Sequence, residues 1–284
     1  MSVILSERER RAMAALTALP PDRTRTATVR TLGPVRVWET FAGTCPGLDP
    51  DQLLDAHTAL GWRLICPGDH DWPTSLTPAG PAPLALWAHG HGHLATLATR
   101  ALAVTGNRSA TPESLTTAAR LAHDLATTSP PVTVTATASR GIARAALTAA
   151  APHAPTLAIL VGDLLTDRAP QPELLAAVAA TGLVLSEIPP LWAPATPPTT
   201  RDRGRRNTAR ARLLATLTQA TLVLESTPGG AGIATARAAR ALGRPLLALP
   251  TYLHGGEAAH YLLLDRLASP VTTAADITTH LPRS

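Results

Sequence analysis

Residues 221–250 read TLVLESTPGGAGIATARAARALGRPLLALP. A strand-length run, Thr221–Leu224, ends at Glu225 and a turn holding Gly229, Gly230 and Gly232. A helix-length segment follows at about 230–242, and a second strand-length run, Pro245–Leu249, closes the unit. Parallel strands need a crossover of this size, usually a helix, to return the chain to the same edge. The two runs are apolar without alternation, the pattern of strands covered on both faces.

The pattern extends outward. Further strands are expected at Arg63–Cys66, Leu84–Ala88, Ala101–Thr105, Val132–Ala136, Thr156–Val161 and Leu183–Ser186. Helices are expected at about 112–127, 140–151, 171–181, 209–217 and 257–267. Alternating strands and helices imply an α/β domain, a mostly parallel sheet with helices on both faces. In such sheets the functional loops lie at the C-terminal ends of the strands. The connection 187–208 is Pro-rich and long, and long connections in compact domains tend to be functional. Before residue 61 the pattern differs. Residues 7–19 suit an amphipathic helix with Met13, Leu16 and Leu19 on one side, and Asp49 suits the cap of a helix over 50–60. Between them 20–48 is rich in Pro, Gly and Thr. The chain thus divides into a small helical domain, 1–60, and a sheet domain, 61–284.

The charge is local. All 25 basic side chains are Arg, against 20 acids. Residues 201–212, RDRGRRNTARAR, hold six Arg and one Asp, and the remaining 19 Arg and 19 acids cancel. A general basic coat is excluded, and one basic segment carries the excess. One Phe and two Tyr argue against a nucleic-acid site built on base stacking. Cys45 and Cys66 form no C-x-x-C pair and suit a reduced, cytoplasmic protein. No apolar run approaches the roughly 20 residues that span a bilayer, so no membrane partner is expected.

Three turns at expected strand ends have anion-binding chemistry. Thr105-Gly106-Asn107-Arg108 precedes a helix that Thr111 can cap and Pro112 can start. Glycine admits a close approach, the helix N-terminus offers free N–H groups, and Arg108 offers a bidentate phosphate donor. An ordinary βα turn with a surface Arg has the same sequence. Ser139-Arg140-Gly141 follows the next strand with the same logic, and Ser139 has no His partner that would make it a nucleophile. Ser226–Gly232 supplies a Gly-rich nest; it is neither a P-loop nor G-x-G-x-x-G, and a tight turn needing positive φ reads the same way. The basic segment reads equally as a solvated charge run. His89, His91 and His93 would share one side of an extended chain, but flanking Gly and no nearby carboxylate or Cys weigh against a metal site. Asp69-His70-Asp71 before Trp72 reads as an anchored turn. Glu187 and Glu225, at strand ends, read as acceptors that anchor loops.

With these residues in place, the chain resembles the DNA-processing protein A family (DprA, also called Smf) from about residue 5 to residue 276. SERERRAMA at 6–14 resembles the start of the family's helical domain, and GWRLICPGDHDWPTSL, from Gly61, the entry to its sheet domain. TGNR at 105–108 matches the family's G-S-R turn with Asn107 in place of Ser. SRGI at 139–142, LVLSEIPP at 183–190 and the stretch 221–250 match further elements in order. Several positions depart: Thr137, Ala143 and Leu147 replace a Gly, an Asp and a His, and Ala231-Gly232 replaces Gly-Ser, while Thr235 is kept. The family's basic R-N-R element aligns either with Arg205-Arg206-Asn207 or with Arg210-Ala211-Arg212.

The resemblance implies a Rossmann-like domain after a helical domain of SAM or helix-hairpin-helix type. It implies a homodimer that binds single-stranded DNA and loads RecA recombinase in transformation or recombination. It implies no cofactor and no catalysis. The expected DNA contacts are Gly106, Asn107, Arg108, Arg140, Arg205, Arg206, Asn207, Arg210, Arg212, Gly230, Gly232 and Thr235. The winged-helix domain of some members is not expected, since the chain ends soon after VTTAADI. Two other readings stand beside this one. PGGAG at 228–232 resembles the turn of LOG-type phosphoribohydrolases, but Thr235 falls where their catalytic Glu would stand. A nucleotide sensor could use the same turns without chemistry.

Overall fold

The computed structural model describes residues 4–76, 82–160, 162, 164, 171–193, 199–250 and 257–282. Four helices open the chain: α1 (Glu7–Thr17), α2 (Arg23–Leu32), α3 (Pro34–Phe41) and α4 (Pro50–Ala59). Each start has a local cause. Ser6 and Glu9 form a reciprocal capping box on α1, Asp22 caps α2 and Asp49 caps α4. Gly33, at φ +81°, ends α2 and lets Pro34 start α3. The two helices within 20–48 were not expected from the Pro, Gly and Thr content; these residues serve as caps and starts.

The sheet strands are β1 (Trp62–Ile65), β2 (Leu86–His89), β3 (Ala101–Thr105), β4 (Thr133–Thr137), β5 (Leu157–Ile159), β6 (Leu183–Ser186), β7 (Ala220–Val223), β8 (Leu246–Ala248) and β9 (Ser269–Pro270). The helices are α5 (Leu94–Leu97), α6 (Pro112–Ala126), α7 (Ile142–Ala150), α8 (Pro172–Thr181), α9 (Thr200–Leu217), α10 (Ala231–Ala241), α11 (Glu257–Leu264) and α12 (Ala274–Thr278). Among the described residues one sheet forms, in the order β1-β2-β6-β5-β4-β3-β7-β8-β9. From β6 to β9 every pairing is parallel; β1 and β2 are antiparallel additions at one edge. The mostly parallel α/β sheet expected from the sequence is present, and its antiparallel edge is what the strand pattern did not show. Val161, the last residue of one expected strand, lies outside the described residues.

Alternation along the strands sends side chains to two layers. Leu102 and Val104 pack with Leu121, Leu125 and Ala146 of α6 and α7, while Ala103 packs with Leu213, Leu214 and Leu217 of α9. The chain leaves β3 for α6 on the first face and β7 for α10 on the second. Neighbouring strands whose helices diverge leave a crevice at their C-terminal ends, the switch point where doubly wound sheets bind ligands.

The chain division at residue 60 is not a division of the core. Met13 and Leu16 of α1 share one buried cluster with Trp62, Leu64, Trp87, Leu147 and Val178. Polar links cross the same boundary. Arg10 forms a bidentate pair with Asp69 at 2.9 and 2.8 Å, and the indole of Trp87 donates to Thr17 Oγ1 at 2.9 Å. The buried His57 packs on Trp87, approaches the Leu53 carbonyl through Nδ1 at 2.7 Å and accepts the Leu191 N–H at Nε2, 3.0 Å. Asp69 also accepts the Cys66 N–H, so the Asp69–Trp72 turn is anchored by its carboxylates as well as by the Trp72 indole on Leu76.

Candidate nucleic-acid interface

Glu225, buried at the end of β7, organises the crevice. Its carboxylate accepts the Asn107 side-chain amide at 3.0 Å, the Thr111 N–H at 2.8 Å and the Thr111 hydroxyl at 2.9 Å. The Asn107 side-chain oxygen Oδ1 in turn accepts the Thr227 N–H at 3.1 Å, and the Asn107 backbone N–H donates to the Glu225 backbone carbonyl at 2.7 Å. The turns after β3 and β7 are therefore tied together through one carboxylate. Burial alone would raise the Glu225 pKa, but the hydrogen bonds from Thr111, Asn107 and Ser114 outweigh it and hold the carboxyl below its ordinary range. The expected loop-anchoring role is the one Glu225 plays.

The turn after β4 locks onto the same assembly. Gly141, at φ +78°, brings its backbone against Asn107 and Arg108; a Cβ there would lie 2.2 Å from the Asn107 carbonyl oxygen. The Ile142 N–H donates to that carbonyl at 3.2 Å. Gly106 is just as confined, since a Cβ would meet Ile142 and the Glu225 carbonyl below 3.0 Å. These glycines serve close packing of three turns, and the packing leaves Arg108 and Arg140 exposed on neighbouring strand ends.

On the β7 side, Gly230 opens α10 without a side-chain cap among the described residues, so its first-turn N–H groups lack there the partner that caps supply. Thr227, Pro228 and Gly229 are exposed. Gly232 and Thr235 are not: Gly232 packs against Ser226, and the buried Thr235 hydroxyl donates to the Ala231 carbonyl at 3.0 Å. Both shape the turn from behind, a role different from the strand contact expected of them.

The basic segment is helical. A helix was expected from about 209, with 187–208 as a connection, but α9 already starts at Thr200 on a capping box of Thr199 and Asp202. Residues 194–198 of that connection lie outside the described residues. The buried residues of α9 begin at Ala209. Arg201, Arg203, Arg205 and Asn207 are exposed, and Arg206 and Arg210 are half-buried near the ends of β5 and β6. Arg210 binds the Asn207 side chain at 3.1 and 3.2 Å, so both alignments of the basic element fall on one helix. Arg212 lies 3.6 Å from Glu187, and both side chains are largely buried. Burial raises the Glu187 pKa against the pull of Arg212 and Arg210, and burial likewise lowers that of Arg212. A buried pair of this kind adds little net stability, but it seats the helix on the strand ends.

No group of three or more metal-ligating side chains occurs among the described residues. His89 contacts the Gly61 carbonyl, while His93 caps α5 and meets His70. No helix of the described residues is long and apolar enough to cross a membrane. Sequence reasoning missed Arg23 and Arg25, which α2 brings opposite α9. Two cations in one helical first turn were the available signal, but it required finding α2.

Comparison with known proteins bears on this arrangement. A family model described as DNA recombination-mediator protein A matches residues 63–282. The chain is 33% identical over 287 residues to a protein of Mycobacterium tuberculosis (strain CDC 1551 / Oshkosh) that carries the name DNA processing protein DprA, covering 92% of this chain and 71% of that one. The fold is similar to DNA processing protein A from Streptococcus pneumoniae, with TM-score 0.69, 19% identity and coverage of 98% and 97%. It is also similar to the Helicobacter pylori protein described for its single-stranded DNA binding mode, with TM-score 0.62, 21% identity and coverage of 77% and 94%.

Proposed function

Since the chain belongs to the DNA recombination-mediator protein A family, we propose that it binds single-stranded DNA along the C-terminal edge of its sheet, as a homodimer, and loads RecA recombinase onto that strand. The observation that carries this reading is the meeting of Arg108, Arg140 and the uncapped start of α10 at the switch point, beside the exposed arginines of α9. These donors suit phosphates, which position a strand without reading its sequence. Exposed guanidinia give the affinity, and the glycines let the turns close up beneath them. With few aromatics in the chain, binding is backbone-led and sequence-tolerant. About five phosphate contacts give a salt slope of roughly −3 to −4 on single strands.

The protein works in the cytoplasm and catalyses no reaction. In support of the second point, Glu225 is spent on Asn107 and Thr111, and Thr235 stands buried at the position where a phosphoribohydrolase carries its Glu. Tyr261 and Leu264, exposed on α11 beside a groove of about 260 Å³ between α10 and α11, support association of two copies.

The test is a gel shift with single- and double-stranded oligonucleotides across salt. It compares wild type, Arg108→Ala and a variant with Arg205, Arg206 and Arg210 changed to Ala. We expect preference for the single strand, loss in both variants, and a salt slope reduced by about 0.7 for each phosphate contact removed. Equal binding by all three proteins overturns the reading.

A further inference from the structure

A second basic surface lies apart from the switch point. A cleft of about 930 Å³ opens between the N-terminal helices and α9. Arg23, Arg25 and Arg30 of α2 line one wall, and Arg205 and Arg212 of α9 line the other. Asp22 and Glu187 are the acids among the described lining residues, so five cations face two carboxylates. Both carboxylates are already engaged, Asp22 as the cap of α2 and Glu187 with Arg212. Burial lowers the pKa of Arg25 and Arg212, and the cross-cleft neighbours Arg205 and Arg23 lower them further, against the pull of Asp22 and Glu187. Like charges are thus held together across two separate elements.

Placement of these cations runs against local stability. Arg23 and Arg25 sit in the first turn of α2, where the one carboxylate is that of the N-cap Asp22, already accepting the Arg25 N–H. A helix N-terminus carries a partial positive charge and disfavours cations. An anion in the cleft would relieve both this conflict and the repulsion between the walls.

The cleft also joins the edge already described. Pro21 and Glu187 line both it and a small recess formed by Ile159, Leu160, Ser186, Arg206 and Arg210 at the ends of β5 and β6. In the sheet, β6, β5, β4 and β3 are consecutive neighbours. At about 4.8 Å per strand, roughly 14 Å separates the end of β3 from that of β6. Arg108, Arg140, Arg206 and Arg210, and then the cleft arginines, follow one another along that line. Leu19, Pro21 and Leu84 give the cleft an apolar floor beside its cations.

We propose that this cleft holds the continuation of the bound strand: a single-stranded nucleic-acid backbone leaves the β3–β7 crevice, runs past the ends of β4, β5 and β6, and places phosphates between α2 and α9. The inference rests on the strand-binding function proposed above. It gives the helical region a direct part in binding, with Arg23 and Arg205 as opposed phosphate donors.

The test uses the full chain with oligo-dT of about 6 and about 20 nucleotides and with a nucleoside triphosphate, comparing wild type, Arg23→Ser and Arg108→Ala by fluorescence anisotropy across salt. Arg23 is exposed and makes no packing contact in the core, and the thermal midpoint of Arg23→Ser should equal that of wild type. We expect Arg23→Ser to weaken the 20-mer about fivefold and to reduce its salt slope by about 0.7, with a smaller loss on the 6-mer, which reaches the cleft only from one end. Arg108→Ala should weaken both lengths. If Arg23→Ser binds both lengths as wild type does while Arg108→Ala loses them, the cleft is not on the strand path and the proposed function stands. If Arg23→Ser loses affinity for a nucleoside triphosphate and not for the 20-mer, the cleft is a small-nucleotide site and the proposal fails. If wild type binds neither oligonucleotide, both proposals fall together.

Discussion

Glu225 is the residue on which the crevice depends. It serves three donors from the opposite turn and is 5% exposed. Removing one partner of a buried network leaves the others unsatisfied, at about 1–3 kcal/mol. Glu225→Ala should therefore lower stability in urea by about 2 kcal/mol and weaken strand binding, although the carboxylate touches no phosphate. The sign of the pH effect follows from its depressed pKa. The contribution of Glu225 is present above the ordinary carboxylate range and is lost as pH falls through the lower folded value. Wild type should show this loss on the acid limb of its stability profile, and Glu225→Ala should show a shallower limb. Asn107 is the second residue to note. Where the family turn has Ser, its amide reaches both Glu225 and Thr227. Asn107→Ser should keep the fold and loosen the link between the two turns, read as faster amide exchange at Thr227.

Among the elements, the turn into α7 and the helix α9 decide the site in different ways. Gly141 combines positive φ with a backbone neighbour where a Cβ would stand. Gly141→Ala should cost about 3 kcal/mol or more, because strain in a Gly-only conformation adds to a clash that no side chain can relieve. A urea titration reads the loss, and an unchanged midpoint would contradict the packing of the three turns. α9 was legible in part. Its apolar half, Ala209–Leu217, showed in the sequence because Leu213, Leu214 and Leu217 cover the sheet. Its charged half, 200–208, did not, because four arginines and a Gly have no apolar period to read. The cap that starts it, Thr199 with Asp202, has the S/T-x-x-D/E form of a capping box and was the signal passed over. α2 was missed for the same reason, as Val29 is its one buried residue.

At the scale of the whole molecule, the N-terminal helices and the sheet share a core whose acid sensitivity has a named source. Burial lowers the His57 pKa, and the hydrogen bond to the Leu53 carbonyl works in the opposite direction without restoring it. A depressed folded value means that the contribution of neutral His57 is present above about pH 6.5 and is lost as pH falls toward the folded value. Stability should drop between about pH 7 and pH 5, and His57→Leu should narrow the gap between urea midpoints measured at those two values. The proposed dimer is tested at the same scale. A charge on the apolar face of α11, Tyr261→Glu, should convert a dimer to a monomer in sedimentation without moving the thermal midpoint of the subunit by more than about 2 °C. A wild-type chain that sediments as a monomer would end that part of the proposal.

The sequence by itself determined the α/β class, most strands, the helices with an apolar face, and the three turns of the crevice. Burial on both faces writes continuous apolar runs, and tight turns need glycine, so both leave a local record. Only the tertiary structure decided the strand order, the antiparallel edge, and which glycines pack against backbone. It alone showed that Arg212 is paired with Glu187 while Arg205 faces α2 across a cleft. Those facts depend on residues far apart in the chain meeting in space, and neither spacing nor composition records such a meeting.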